Sequence, residues 1–302
     1  MRVLVTGATG FVGERLTRAL VDAGHTVTAM TRRPDAYSGV GTPIGGDVGD
    51  AESLQRALAG QEAAYYLVHS LDHADFSSKD RDGAADFAKA ASGAGVSQVI
   101  YLGGLGDDAD ELSAHLRSRR EVEHVLQASA PTTVLRAGIV IGDGGISWEI
   151  LRQLVERLPA MITPRWVQTR CQPIGIDDVL HILVGVLNDE RTIGETFEIG
   201  GPDVLTYRDM LKTVARITGR RRLIVPVPLL SPALSSYWLR LITNVDMATA
   251  RALVDSMTNE VVAHDDRINT LVGLTPTPFA DAARTALRER AERTANGADA
   301  GS

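Results

Sequence analysis

The chain is short of the residues that would suit an oxidising compartment or a membrane. Cys171 is its only cysteine, so no intramolecular disulfide can form and a reducing, intracellular setting is expected. It lacks an apolar run of about 18 residues, the length a spanning helix requires. The nearest approach, LIVPVPLLSPALSSYWLRLI, is interrupted by proline and serine. Positive charge is in deficit, with a formal net charge of −7, which argues against nucleic acid as a partner. Met1 leads straight into an apolar strand without the segments of a secretion signal, so a cytoplasmic location is expected. Lysine occurs only at Lys79, Lys89 and Lys212, which leaves nearly all basic chemistry to arginine.

What is present is a chain of 302 residues, 44% of them hydrophobic. That is enough for one large α/β domain with a smaller lobe. Through the first two thirds, short β-branched runs alternate with amphipathic stretches. Strands are predicted at RVLVTG, HTVTAMT, TPIGGD, AAYYLVHS, VSQVIYLGG, TTVLRAGIVIG and ETFEIGG. Between them ERLTRALVDAG, DAESLQRALAG, KDRDGAADFAKAASGAG and RREVEHVLQAS carry apolar residues at helical spacing. This alternation predicts an α/β fold, a Rossmann-type doubly wound parallel sheet covered on both faces. Gly24, Gly60 and Gly95 fall where C-terminal helix caps are expected. From about Gly144 the alternation weakens. Residues 1–145 plus about 170–202 are assigned to the sheet domain. About 146–169 plus 203–290 form a smaller, mainly helical lobe, and 291–302 a disordered tail.

TGATGFVG sets Gly7, Gly10 and Gly13 in a G-x-x-G-x-x-G spacing, after a strand and before a helix. That context points to dinucleotide binding. Gly7 allows the tight turn, Gly10 admits a pyrophosphate to the backbone, and Gly13 lets helix and strand pack closely. Thr9, Phe11 and Val12 complete the cofactor loop, and the helix N-terminus faces the phosphates with a partial positive charge. The second strand ends Met30-Thr31-Arg32-Arg33, without the acid that would bind a ribose 2′-hydroxyl. Arg32 and Arg33 suit a 2′-phosphate, so NADPH is expected over NADH. In GDVGD, Asp47 is a candidate acceptor for the adenine amino group with Val48 beneath the ring. The alternative for Asp47 is a helix N-cap.

These motifs, with YYLVHS, VIYLGGLG, VLRAGIVIG and QPIGIDDV, make the chain resemble an atypical or extended short-chain dehydrogenase/reductase. It is most similar to the NmrA-like NAD(P)H-binding group that includes the accessory-subunit type of respiratory complex I. In catalytic members a Ser or Thr after the fifth strand works with a Y-x-x-x-K pair on the next helix. Here the serine region reads Gly103-Gly104, and His115 and Arg119 fall on the tyrosine and lysine positions. The usual mechanism therefore cannot be carried over. Arg119 keeps a positive charge for the nicotinamide ribose. His115 is the candidate catalytic residue, as a general acid, or else a polar residue on a degenerate site. The resemblance also puts Val68, His69 and Ser70 beside the nicotinamide end of the sheet.

His69 and His73 lie four apart at a strand end and in a loop, so no metal site is expected. Asp177 and Asp178 are read as caps of the helix that follows, with Asp178 as N-cap or first-turn acid. Trp148, Trp166, Tyr237 and Trp238 either wall a crevice for a flat or apolar ligand or form the core of the smaller lobe. Two functions remain open. One is an NADPH-dependent reductase of a quinone-like or aromatic acceptor. The other is a non-catalytic NADPH-binding redox sensor or assembly factor. The apolar run near Leu229 is a candidate contact for a membrane surface or a protein partner, though it lacks a basic face.

Overall fold

The computed structural model describes residues 1–69, 76–226 and 253–299. Ser70, His73, Leu229, Tyr237, Trp238 and the last three residues of the tail lie outside them, as does the apolar run beyond Pro226.

Seven strands form one sheet: β1 (Arg2–Val5), β2 (Thr26–Thr31), β3 (Thr42–Gly45), β4 (Ala63–Tyr66), β5 (Gln98–Gly104), β6 (Thr132–Ala137) and, later in the chain, β11 (Thr196–Ile199). Every pairing is parallel, in the order β11-β6-β5-β4-β1-β2-β3. The order reverses between β1 and β4, and a ligand crevice is expected at the carboxyl ends there. Helix α1 (Phe11–Asp22) and α6 (Ile176–Gly185) cover one face, burying Leu16, Leu20, Val179 and Ile182. Helices α2 (Ala51–Leu58), α3 (Phe76–Gly93) and α4 (Ala114–Ser129) cover the other, with Leu54, Leu58, Phe87 and Leu126 in its core. With both faces covered the strands read as continuous apolar runs. Gly24, Gly60 and Gly95 all have positive φ, the left-handed conformation of a helix-ending glycine.

The smaller lobe packs around α5 (Ile146–Arg157) and α7 (Tyr207–Ile217). α7 opens on a capping box, Thr206 with Asp209. Trp148 is fully buried in this core, and Trp166 packs edge-on to Tyr207 with ring centroids 5.6 Å apart. The lobe also draws on Leu105, Leu112 and Leu116 from the sheet domain, so the two parts share one hydrophobic cluster. In return, the helix Arg267–Val272 leaves the lobe and lies against α6, where the His181 ring meets the Val272 carbonyl at 2.9 Å.

Two details differ from the sequence reading. TTVLRAGIVIG is not one strand. β6 ends at Ala137, and β7 (Val140–Ile141) leaves the sheet to pair with β10 (Ile174–Gly175). The tail is helical as far as Asp299, in a helix that begins at Phe279. It is held by Arg293, which donates to both carboxylate oxygens of buried Asp143 at 2.7 and 3.0 Å. At the start of α6 the N-cap is Gly175, and Asp178 takes the second of its two expected places, as a first-turn acid. There the Asp178 carboxylate accepts from the backbone N–H and hydroxyl of Thr277 at 2.7 and 3.0 Å.

Candidate functional site

The glycine loop joins β1 to α1 at the reversal point. Gly7 has φ +66°, and a Cβ there would lie 2.9 Å from the Leu67 carbonyl oxygen. At Gly13 a Cβ would lie 2.1 Å from the Gly7 oxygen, so both positions are closed to side chains. Gly10 caps α1 through its backbone, with no side chain over the helix end. The amides of Phe11, Val12 and Gly13 therefore have no carbonyl one turn back to accept them. Such bare amides suit an anion of the kind a pyrophosphate presents.

Phe11 is held from behind. The Arg15 guanidinium lies 4.8 Å from its ring centroid and donates to the Phe11 and Asp143 carbonyls at 3.2 and 2.8 Å. The Gly142–Gly145 turn packs on the same ring, where a Cβ at Gly142 would meet the ring edge at 2.9 Å.

A cavity of about 310 Å³ opens from this loop across the strand ends into the smaller lobe. Of the residues singled out from the sequence, Gly7, Gly10, Phe11, Val12, Gly13, His69, His115 and Arg119 line it. Thr9 is exposed on the loop itself. Arg32, Arg33, Asp47 and Val48 sit further out, at the ends of β2 and β3, and Val68 follows β4 packed against the α3 side of the core. Arg32 and Arg33 are exposed, and among the described residues neither guanidinium has a hydrogen-bond or ion-pair partner. The α2 cap is Asp50, which accepts from Glu52 N–H at 3.1 Å, so Asp47 is not the N-cap. Asp47 uses Oδ1 to accept from Gly49 N–H at 2.9 Å, and it is exposed.

At the other end, Ser113 caps α4 and anchors His115 and Arg119. Its N–H donates to Asn259 Oδ1 at 2.9 Å, and its hydroxyl lies 3.1 Å from that of Ser256. The His69 and His115 rings face each other edge-on with centroids 6.3 Å apart. The accessible surface of His69 opens into the cavity, and protein still encloses the ring. Burial first, then the Arg119 charge, lowers the His115 pKa to about 3. Burial, Arg119 and His115 in turn lower His69 to about 3. Both imidazoles are therefore neutral in neutral solution, able to give or accept a hydrogen bond but not to act as imidazolium acids.

Arg119 itself is unspent. Its guanidinium lies 5.8 Å from the Tyr101 ring centroid, and its buried Nε has no hydrogen-bond partner. Where the family carries a hydroxyl, a Cβ on Gly104 would meet Leu116 Cδ2 at 3.0 Å. At Gly103 a Cβ would instead meet the Tyr101 ring at 3.0 Å.

Several wall residues were not foreseen from the sequence: Ser147, Tyr207, Leu253, Ser256, Met257 and Val261. They come from the smaller lobe, and no local spacing marks them. Tyr207 is the foremost, buried to 3% exposure with no hydrogen bond to its hydroxyl among the described residues. Burial raises its pKa well above the ordinary tyrosine value.

The described residues thus fit a dinucleotide: a glycine cradle closed to Cβ atoms, bare helix amides, two unpaired arginines at the far end and an orphaned guanidinium at the near end. They contain no cluster of three or more His, Cys, Asp or Glu suited to a metal. No helix among them is long and apolar enough to cross a membrane.

Comparisons with known proteins agree with this geometry. Residues 7–155 match the NAD(P)H-binding family model. A (4-alkanoyl-5-oxo-2,5-dihydrofuran-3-yl)methyl phosphate reductase of Streptomyces griseus is 29% identical over 72% of this chain and 74% of its own. The 40 kDa subunit of NADH-ubiquinone oxidoreductase from Neurospora crassa is 25% identical over 74% of this chain and 62% of its own. The chain spans only 28% of the length of an uncharacterized Mycobacterium tuberculosis relative. In fold, it superposes on Citrobacter sp. triphenylmethane reductase complexed with NADP(H) at a TM-score of 0.76 and 21% identity, covering 95% of this chain and all of that one. Residues 7–155 thus match an NAD(P)H-binding domain, carried on a Rossmann-type fold that the chain shares with that triphenylmethane reductase.

Proposed function

We propose that the chain is an NADPH-dependent reductase of flat or apolar acceptors, quinone-like or aromatic. One observation carries this reading. The cavity does not end at the cofactor loop but continues between Leu105, Leu116, Ile139, Tyr207 and Met257, an apolar extension suited to an acceptor beside the nicotinamide. In this reading the α1 amides hold the pyrophosphate, Arg32 and Arg33 the 2′-phosphate, Asp47 and Val48 the adenine, and Arg119 the nicotinamide ribose. When bound, the reduced nicotinamide supplies a hydride. The apolar wall stacks the acceptor and excludes water. Neutral His69 and His115 orient polar atoms by hydrogen bonding. The relatives named as reductases support this assignment by analogy. The acceptor is a small molecule met in the cytoplasm, where NADPH is abundant.

The redox-sensor reading is favoured by a different observation, that neither histidine is charged and Gly103-Gly104 offers no hydroxyl. NADPH oxidation across a panel of quinones and aromatic acceptors separates the two. Steady oxidation supports the reductase, whereas tight NADPH binding without oxidation supports the sensor. Cofactor preference is tested by titration. Arg32→Ala and Arg33→Ala are expected to weaken NADPH about tenfold or more while leaving NADH nearly unchanged. Equal affinity for the two cofactors in the unmodified chain would overturn the preference.

A further inference from the structure

We infer that the acceptor is one whose reduction leaves an oxyanion, a quinone or a conjugated enone, and that Arg119 is the group that steadies that oxyanion. This rests on the reductase reading and narrows it.

The first ground is the charge on the cavity wall. Among the described residues lining it, Arg119 is the only charged side chain; no aspartate or glutamate faces the space. A cationic acceptor would be desolvated beside an uncompensated guanidinium, which is unfavourable, whereas a developing negative charge meets the opposite field.

The second ground is the state of Arg119 compared with its neighbour. Arg120 is fully engaged: it donates to Asp108 at 2.8 Å and to the Gly106 carbonyl at 3.1 Å, and pairs with Glu123 at 3.7 Å. Arg119, one residue earlier, has no such partner, and a buried guanidinium nitrogen left without an acceptor is costly. The cost is recovered if a bound group brings the acceptor. A guanidinium has five N–H donors, enough to serve a ribose hydroxyl and an oxyanion together.

The third ground is the proton supply. A saturated ketone becomes an alkoxide on hydride uptake and needs a proton in the same step. This cavity offers two imidazoles held neutral and the Tyr207 phenol, made a weaker acid by burial. A quinone or enone does not need that help. The β-carbon of an enone, or one carbonyl oxygen of a quinone, takes the hydride from the reduced nicotinamide, which is thereby oxidised. The displaced π pair moves onto the enone oxygen or the opposite quinone oxygen, and the resulting enolate or phenolate takes its proton from water.

The test uses the NADPH-loaded chain with Arg119→Gln, which keeps donors but not charge, and Arg119→Lys, which keeps charge. In the first arm para-nitrophenol is bound and its ionisation followed by phenolate absorbance. Wild type and the Lys variant are expected to shift the probe toward the phenolate by about tenfold, and the Gln variant is not. Identical titration in wild type and Arg119→Gln overturns the inference. In the second arm menadione, a neutral quinone, is compared with malachite green, a cationic dye. At saturating NADPH, Arg119→Gln is expected to lower kcat on the quinone by roughly 10- to 100-fold more than it lowers kcat on the dye, with the Lys variant recovering the quinone rate. Equal loss on both acceptors overturns it, because Arg119 would then act only through the cofactor. A phenolate shift with no oxidation of either acceptor sinks the reductase reading and leaves the anion site standing.

Discussion

Arg293, near the chain's end, is expected to matter at the cofactor loop, where it has no direct contact. Asp143 lies in the turn before α5 with its side chain 4% exposed, and both carboxylate oxygens accept from Arg293, itself 64% exposed. The same turn presses on Phe11, and Arg15 ties the Asp143 carbonyl to the Phe11 carbonyl while pairing with Glu289 on the last helix at 3.5 Å. Arg293→Met keeps the side chain's length and removes its charge, stranding a buried carboxylate. Breaking a fully buried ion pair costs about 3–5 kcal/mol. Because water reaches Arg293, solvent takes over part of its role, and about 1–2 kcal/mol is expected here. Urea unfolding of wild type, Arg293→Met, Asp143→Asn and the double variant should give a coupling energy near 1 kcal/mol. NADPH affinity, read by fluorescence titration, should fall several-fold in Arg293→Met as the turn loosens behind Phe11. A coupling energy below about 0.3 kcal/mol, with NADPH affinity unchanged, would refute the chain of contacts.

Other outcomes follow from the same geometry. Gly13→Ala should abolish NADPH binding and destabilise by about 3 kcal/mol or more, because its Cβ would overlap the rigid Gly7 backbone. Gly24→Ala meets nothing within 4 Å and strains only a left-handed φ, so about 1 kcal/mol is expected by thermal unfolding, with cofactor binding intact. His69 and His115 have folded-state pKa values lowered from 6.5 to about 3. Their contribution to stability is fully present above pH 6.5 and is lost as pH falls from there toward 3. A His69→Gln/His115→Gln double variant should therefore lose less stability than wild type between neutral pH and pH 4 in parallel urea titrations. An identical pH dependence would show that the rings are not held neutral by the fold.

The parts of the molecule governed by local pattern were legible in the sequence. The glycine loop declares itself because each glycine answers to a neighbour a few residues away, as Gly13 does to Gly7. The strands declare themselves because both faces of a parallel sheet are apolar. The end of β6 did not. VLRAGIVIG is apolar but for Arg136, and the chain departs at Gly138, where Gln172 and Val261, both distant in sequence, pack against it. Asp178 followed a local rule for helix starts, but its partner, Thr277, lies 99 residues on. The fate of the tail depended likewise on Asp143, 150 residues from Arg293. The cavity's outer wall was hidden for the same reason. Tyr207, Leu253 and Met257 reach the site through the packing of a lobe whose core borrows Leu112 and Leu116 from the sheet domain.

Leu116 decides how easily a hydroxyl could return to this site. A Cβ on Gly104 would meet its methyl group at 3.0 Å, so the leucine has to give by a few tenths of an ångström. That methyl is the free end of a flexible side chain, and a serine there is expected to cost little in packing. The hydroxyl is thus one substitution away, whereas a Tyr–Lys pair needs both His115 and Arg119 to change.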